Sequence, residues 1–188
     1  RLSSQGADWE HHAEQLGNLG SVYFFVGRYD DAARVNALAL TVVDQHRGAS
    51  WAARRRMVVV ANQAALHQRL GRYADALALY GTLQSSAVPL PSGEHGQVMV
   101  NEGALFRRLG DPYKALAAYD RAGADFAQAH DAIGEVTVLT NRGIALALDL
   151  ARPADAARTF GAALEVAQAG GIRREALLAQ LYRGEALL

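Results

Sequence analysis

The sequence predicts an all-α fold, a stack of antiparallel helix pairs forming an α-solenoid, and three observations carry that prediction. First, asparagine heads four similar segments: Asn18-Leu19-Gly20, Asn62-Gln63-Ala64, Asn101-Glu102-Gly103 and Asn141-Arg142-Gly143, at intervals of 44, 39 and 40 residues. The same step returns 41 residues later at Tyr182-Arg183-Gly184, in a truncated fifth unit, so the chain holds about four and a half repeats. A fixed period of this size marks a helical array in which each unit buries its apolar face on its neighbours. Second, a breaker follows each asparagine: Val26-Gly27-Arg28-Tyr29, Leu70-Gly71-Arg72-Tyr73, Leu109-Gly110-Asp111-Pro112, and Leu150-Ala151-Arg152-Pro153 displaced by one residue. Third, a small residue at Ala32, Ala76, Ala115 and Ala156 is followed four residues on by Asn36, Tyr80, Tyr119 and Phe160. Small residues let two helices approach, and the large ones fill the gap to the next pair.

The elements follow in order. A first helix over 8–26 stops at Gly27, where glycine takes a left-handed cap. Its partner over 29–47 opens with Asp30-Asp31, whose charges complement the helix dipole. The second pair spans 50–70, stopped by Gly71, and 73–86. Ser85 to Gly93, with Pro89, Pro91 and Gly93, is the one real loop. Because the period continues across it, residues 1–188 read as a single domain. The third pair spans 94–109 and 112–130, the fourth 132–150 and 153–169, with Pro112 and Pro153 suited to the first turn of their helices. A last helix covers 172–188. Abundant alanine and leucine, with few β-branched residues, favour helix throughout.

Composition narrows the function classes. Apolar residues make up 51% and charged residues 20%, enough to bury a core. Lys+Arg and Asp+Glu are 19 each, so no net field draws the chain to nucleic acid or an anionic membrane. There is no cysteine, hence no disulfide, thiolate ligand or thiol nucleophile, which fits a cytoplasmic location. Apolar runs such as Met57–Ala61 and Ile144–Leu148 are far too short to span a bilayer. Beginning at Arg1, the sequence reads as a piece of a longer polypeptide.

No catalytic grouping emerges. The six histidines, His11, His12, His46, His67, His95 and His130, include no pair spaced to put two ligands on one helix face. His67 is expected to pack between helices. Glu10 and Glu14 read as solvated, and so does the basic run Arg54-Arg55-Arg56, which has no interleaved aromatics. No nucleophile elbow, phosphate loop or dinucleotide fingerprint occurs. The chain is therefore expected to bind a partner rather than to catalyse, with no cofactor and no metal.

These residues resemble the tetratricopeptide family over essentially the whole chain. The pattern is best kept in the first unit, by Leu19, Gly20, Tyr23, Gly27, Tyr29, Ala32, Ala39 and Leu40. Unit two departs at Gln63, Ala64 and His67, unit three at Pro112, and a period near 40 matches the longer-repeat branch. The resemblance implies a right-handed solenoid whose first helices line a concave groove. It also implies that Asn18, Asn62, Asn101 and Asn141 project there, where an amide both donates to and accepts from an extended peptide. A bond from the asparagine to a neighbouring helix is the alternative. Gly17, Ser21, Phe24-Phe25, Ala61, Ala65, Gln68-Arg69, Val100, Ala104, Arg107-Arg108, Thr140, Ile144 and Ala147-Leu148 should face the same way. The expected partner is a protein or peptide segment with apolar anchors and an acidic group, met by Arg69, Arg107 and Arg108. A carboxylate clamp is not expected, because Gly17 and Ser21 stand where its lysine and asparagine belong and Asn101 where its arginine belongs, so that only Asn62 matches.

The segments Glu135–Asp149, Arg173-Arg174-Glu175-Ala176 and Leu181-Tyr182-Arg183-Gly184-Glu185 resemble bacterial repeats that precede a CHAT domain, a caspase-like protease module. That resemblance covers roughly the last 60 residues and implies a regulatory arm, with any catalysis elsewhere. Two other readings stay open: the peptide-sensing domain of a bacterial transcriptional regulator, and a structural module that self-associates through exposed solenoid ends.

Overall fold

Nine α-helices and no strand make up the described residues of a computed structural model. The backbone is described from Leu2 to Leu187 and the side chains from Asp8 to Leu187; Arg1 and Leu188, the ends of the expected domain, lie outside. The helices are α1 (Leu2–Phe25), α2 (Tyr29–Gln45), α3 (Ala52–Arg69), α4 (Tyr73–Gln84), α5 (Ser92–Arg108), α6 (Pro112–Ala129), α7 (Ala132–Ile144), α8 (Pro153–Ala169) and α9 (Arg173–Glu185). A π-helical turn, Ala145–Asp149, extends α7.

By compactness the chain divides into two units, Arg1–Leu90 and Pro91–Leu188. In the first, α1 packs on α2, α2 on α3 and α3 on α4, and α1 also reaches α3. In the second, α5 to α9 pack each on the next, while α5 touches α7 and α7 touches α9. Packing of consecutive helices, with first helices meeting first helices, is that of a solenoid-like helical repeat.

Turn chemistry explains the boundaries. Gly27, Gly71 and Gly110 have φ of 78°, 75° and 79°, the left-handed region that only glycine enters without strain. Around Gly27 the amide of Arg28 donates to the Tyr23 carbonyl at 2.8 Å and Gly27 donates to Phe24 at 3.2 Å, the paired bonds that close a helix end. Helix starts are marked as well. The Asp111 carboxylate accepts from the Lys114 amide at 3.1 Å, and Asp131 accepts from Gly134 at 3.0 Å. Bonds from the Lys114 side chain, above all, and from its amide hold the Asp111 carboxyl below its ordinary range. Pro112 and Pro153 occupy first-turn positions, and Asp30 and Asp31 lie in the first turn of α2.

The fourth pair departs instructively. Its cap comes one residue late, and the π-helical turn absorbs that residue: Leu150 donates to the Ala145 carbonyl at 3.2 Å and Arg152 to Leu146 at 2.8 Å. Ala151 then takes the left-handed position at φ 50°.

Other differences concern boundaries and packing. Helix α1 begins at Leu2 rather than at 8, and α5 begins at Ser92, which shortens the proline-bearing loop. The connection expected at 48–49 is longer, running from the end of α2 at Gln45 to the start of α3 at Ala52. It is held by an aromatic stack: His46 lies 4.9 Å from Trp9 and 5.9 Å from Trp51, between ring centroids. In the first, third and fourth pairs the large residue of the second helix lies over the glycine of its own first helix. A Cβ on Gly103 would stand 2.5 Å from the Tyr119 ring, and one on Gly143 2.5 Å from Phe160. Phe160 also stacks on Tyr182 of α9, with centroids 5.4 Å apart, so it fills the inter-pair gap too.

Candidate binding surface

Within the first unit, the first-helix face gathers two of the expected residues. Asn18 of α1 and Asn62 of α3 line one small recess of about 80 Å³. Gly17 and Ser21 lie in it as well, and the Ser21 hydroxyl donates to the Gly17 carbonyl at 3.2 Å. At its mouth Arg55 is bonded to Glu14 at 2.9 Å, with Glu10 at 3.8 Å. So Glu10 and Glu14 are not merely solvated, and the basic run is divided: Arg55 pairs with α1 and Arg56 with Asp44 at 3.4 Å. The i, i+4 spacing of the two acids was the signal available for this clamp.

Elsewhere on that unit the expected groove residues separate. Gln68 is buried and accepts from the Tyr80 hydroxyl at 2.9 Å, so it belongs to the core. Arg69 is exposed and donates to the Tyr29 hydroxyl at 3.2 Å, tying α3 to the start of α2. Phe25 is 83% exposed, an apolar side chain met edge-on by the Phe24 ring at 5.7 Å between centroids and otherwise open. His67 is part-buried with Nδ1 3.4 Å from Asp75, a looser contact than a hydrogen bond of good geometry.

In the second unit the asparagines turn to their own helices. Asn141 donates to the Thr137 carbonyl at 3.0 Å, and Asn101 accepts from Gln97 at 3.2 Å. Arg107 is engaged by Asp149 through two nitrogens, one of them at 3.2 Å, which bridges α5 to the π-helical turn. The hydrogen bond to Asp149, above all, raises the Arg107 pKa further, against the opposing effect of burial. Beneath it the buried Tyr119 hydroxyl makes no hydrogen bond of good geometry, and burial pushes its pKa up to about 12 against the lowering effect of the neighbouring Arg107 guanidinium. Arg108 is exposed and has no acidic partner among the described residues. Val100 is buried, whereas Leu148 is 76% exposed.

No described group of three or more His, Asp or Glu side chains could hold a metal ion. The His95 ring bonds Asp125 at 2.7 Å, but the nearby Ser92 hydroxyl donates to Gln128 at 3.1 Å rather than to that histidine. Among the described residues no helix is long and apolar enough to cross a membrane.

No family model matches the chain, and no curated protein matches it in sequence. Among solved structures, the crystal structure of BtubC (BKLC) from P. vanneervenii is similar, with a TM-score of 0.61 and 17% identity over 97% of this chain and 88% of that one. At that identity the likeness is one of fold: a helical repeat.

Proposed function

We propose that the chain is a peptide- or protein-binding module of the tetratricopeptide kind. The observation that carries this reading is the recess of the first unit, where Asn18 and Asn62 stand together over the small residues Gly17 and Ser21. Two amides from successive first helices offer both donors and acceptors to an extended backbone, and the small floor leaves room for it. Exposed Phe25 supplies an apolar contact for an anchor side chain, and Arg69 supplies charge for an acidic one. In the second unit, Asn101, Arg107 and Asn141 have internal partners, so they contribute less to recognition than Asn18 and Asn62.

Selection from a displayed random-peptide library tests the reading. Peptides enriched on the wild-type chain should lose about tenfold in affinity on Asn18→Ala or Asn62→Ala, the worth of one well-placed hydrogen bond. Failure to enrich any peptide, or equal affinity in both variants, would overturn it.

The finer assignment is the regulatory arm of a CHAT-type signalling protease in the cytoplasm, supported by the sequence resemblance of the last two first helices. The complete reading frame tests it: a module with a His and Cys dyad agrees. A helix-turn-helix domain in its place makes the chain the sensor of a transcriptional regulator. One observation favours self-association as a second reading, namely Leu177, Leu178 and Leu181 exposed within two turns of α9. Sedimentation of Leu181→Glu beside wild type decides it, since a dimer built on that face would dissociate.

A further inference from the structure

The second unit holds a larger recess, of about 370 Å³, on the side formed by α6, α7 and α8 rather than on the first-helix face. Three arginines converge on it, Arg142 from α7 and Arg152 and Arg158 from the start of α8, beside the hydroxyl of Thr159. Its apolar wall is Leu116, Leu139 and Leu146. Leu146 belongs to the π-helical turn, a local irregularity that often accompanies function.

The polar bonds leave capacity unused. Asp155 takes Arg152 at 2.5 Å on one oxygen and Arg158 on the other. Arg142 donates to Asp120 at 3.0 Å and to Thr159 Oγ1 at 3.3 Å. The Thr159 hydroxyl itself donates to the Asp155 carbonyl at 2.9 Å, so Thr159 serves the site by holding Arg142 in place. Each guanidinium has five N–H donors, so most point to no protein acceptor. Three cations face two carboxylates, which leaves a single excess positive charge. Such a balance suits one anionic group and disfavours a polyanion.

An internal control comes from the repeat itself. The first pair carries the same Arg–Asp–Arg arrangement at the same spacing: Arg28 bonds Asp31 at 2.6 Å and Arg34 bonds its other oxygen. That arrangement alone is thus a staple for the start of a second helix. What the fourth pair adds is Arg142, where the other three pairs have Leu19, Gln63 and Glu102, and Thr159, where the first pair has Val35. These additions are the residues that turn a staple into a walled site with a third guanidinium and a hydroxyl.

We propose that this recess binds a small organic anion, a carboxylate or phosphate ester with a short apolar body. The guanidinium fork matches either oxyanion in two-point contact, and the leucine wall takes the body. Its volume falls at the lower end of small-ligand sites, roughly 300–1,000 Å³. The site shares no residue with the recess on α1 and α3.

Calorimetry on the whole chain tests this with phenyl phosphate and 4-phenylbutyrate, and with inorganic phosphate and acetate as probes lacking the body. One of the first two should bind saturably and about tenfold more tightly than its bodiless counterpart, and the tighter of them identifies the headgroup. Arg142→Leu, which installs the residue of the first pair, should weaken binding about tenfold or more, whereas Arg34→Leu should leave it unchanged. Thr159→Val, again a first-pair residue, gives a second reading if Arg142→Leu fails to fold, and should also weaken binding. Absence of saturable binding, equal binding of bodiless anions, or full affinity in the folded variants would overturn the proposal.

Discussion

The first and fourth pairs are built on one plan and filled differently. In both, a second-helix side chain four residues after an alanine lies over a first-helix glycine, and an Arg–Asp–Arg staple opens the second helix. The fourth pair fills the contact with Phe160, which joins Leu146, Ala156 and Tyr182 in one apolar cluster. In the first pair Asn36 fills it: its amide oxygen is buried against Gly20 and has no hydrogen-bond partner. A buried ring stabilises by about 2–3 kcal/mol, while an unpaired buried carbonyl costs about 1–3 kcal/mol. The shared plan therefore comes from the glycine contact and the staple at the start of the second helix, and the filler sets how firmly each pair is held.

The largest effect expected is at the glycine of the aromatic contact. In Gly143→Val a Cβ would stand 2.5 Å from the Phe160 ring before the methyls are counted. The ring is hemmed in by its cluster and cannot withdraw, so the cost should be about 3 kcal/mol, read from the urea midpoint. Gly20→Val should cost clearly less, because the Asn36 amide can swing aside. Equal losses would break the contrast between the pairs.

Next comes the third pair, where Tyr119 lies over Gly103 as Phe160 does over Gly143. Its pKa of about 12 exceeds the ordinary 10.0, so between these values the unfolded chain has released a proton that the folded one retains. Stability contributed by the neutral phenol is thus complete below pH 10 and lost as pH rises through about 12, on the order of 2 kcal/mol. Tyr119→Phe makes the third pair resemble the fourth and should flatten that alkaline decline in urea titrations run at successive pH values. A variant with the wild-type slope would show that another group causes it.

Sequence reasoning reached the helix order because period, turn glycines and alanine–large spacing are local. Tyr29, Tyr73, Pro112 and Pro153 begin helices where the breakers placed them. Side-chain partners were less legible. Gln68 looked like a groove residue, since its burial depends on Tyr80 twelve positions away. Arg107 looked like a free cation, since Asp149 lies 42 residues on, in a turn whose π-helical form no local pattern announces. Of the asparagine column, Asn18 and Asn62 meet in one recess, while Asn101 and Asn141 bond within their own helices. The same residue at the same repeat position has different neighbours, and a repeat pattern records positions only.

A smaller gain is expected from Asn36→Leu. The substitution keeps the branched outline with slightly bulkier tips and removes the unpaired oxygen, so it should stabilise the first pair by about 1 kcal/mol. The urea midpoint should rise while the slope stays constant. A loss of similar size would mean the amide holds a bond that its geometry does not reveal.

The smallest effect concerns the two caps. Ala151 sits at φ 50° where the first pair has Gly27 at φ 78°. An alanine there is strained by about 1 kcal/mol, but glycine loses more backbone entropy on folding, so Ala151→Gly should gain only about 0.5 kcal/mol. Gly27→Ala should lose about 1 kcal/mol, because φ 78° lies further from what alanine accepts. Thermal unfolding followed by circular dichroism measures both. If Ala151→Gly destabilises instead, the π-helical turn needs the alanine methyl, and the fourth pair's late cap is a packing feature as well as an accommodation of one extra residue.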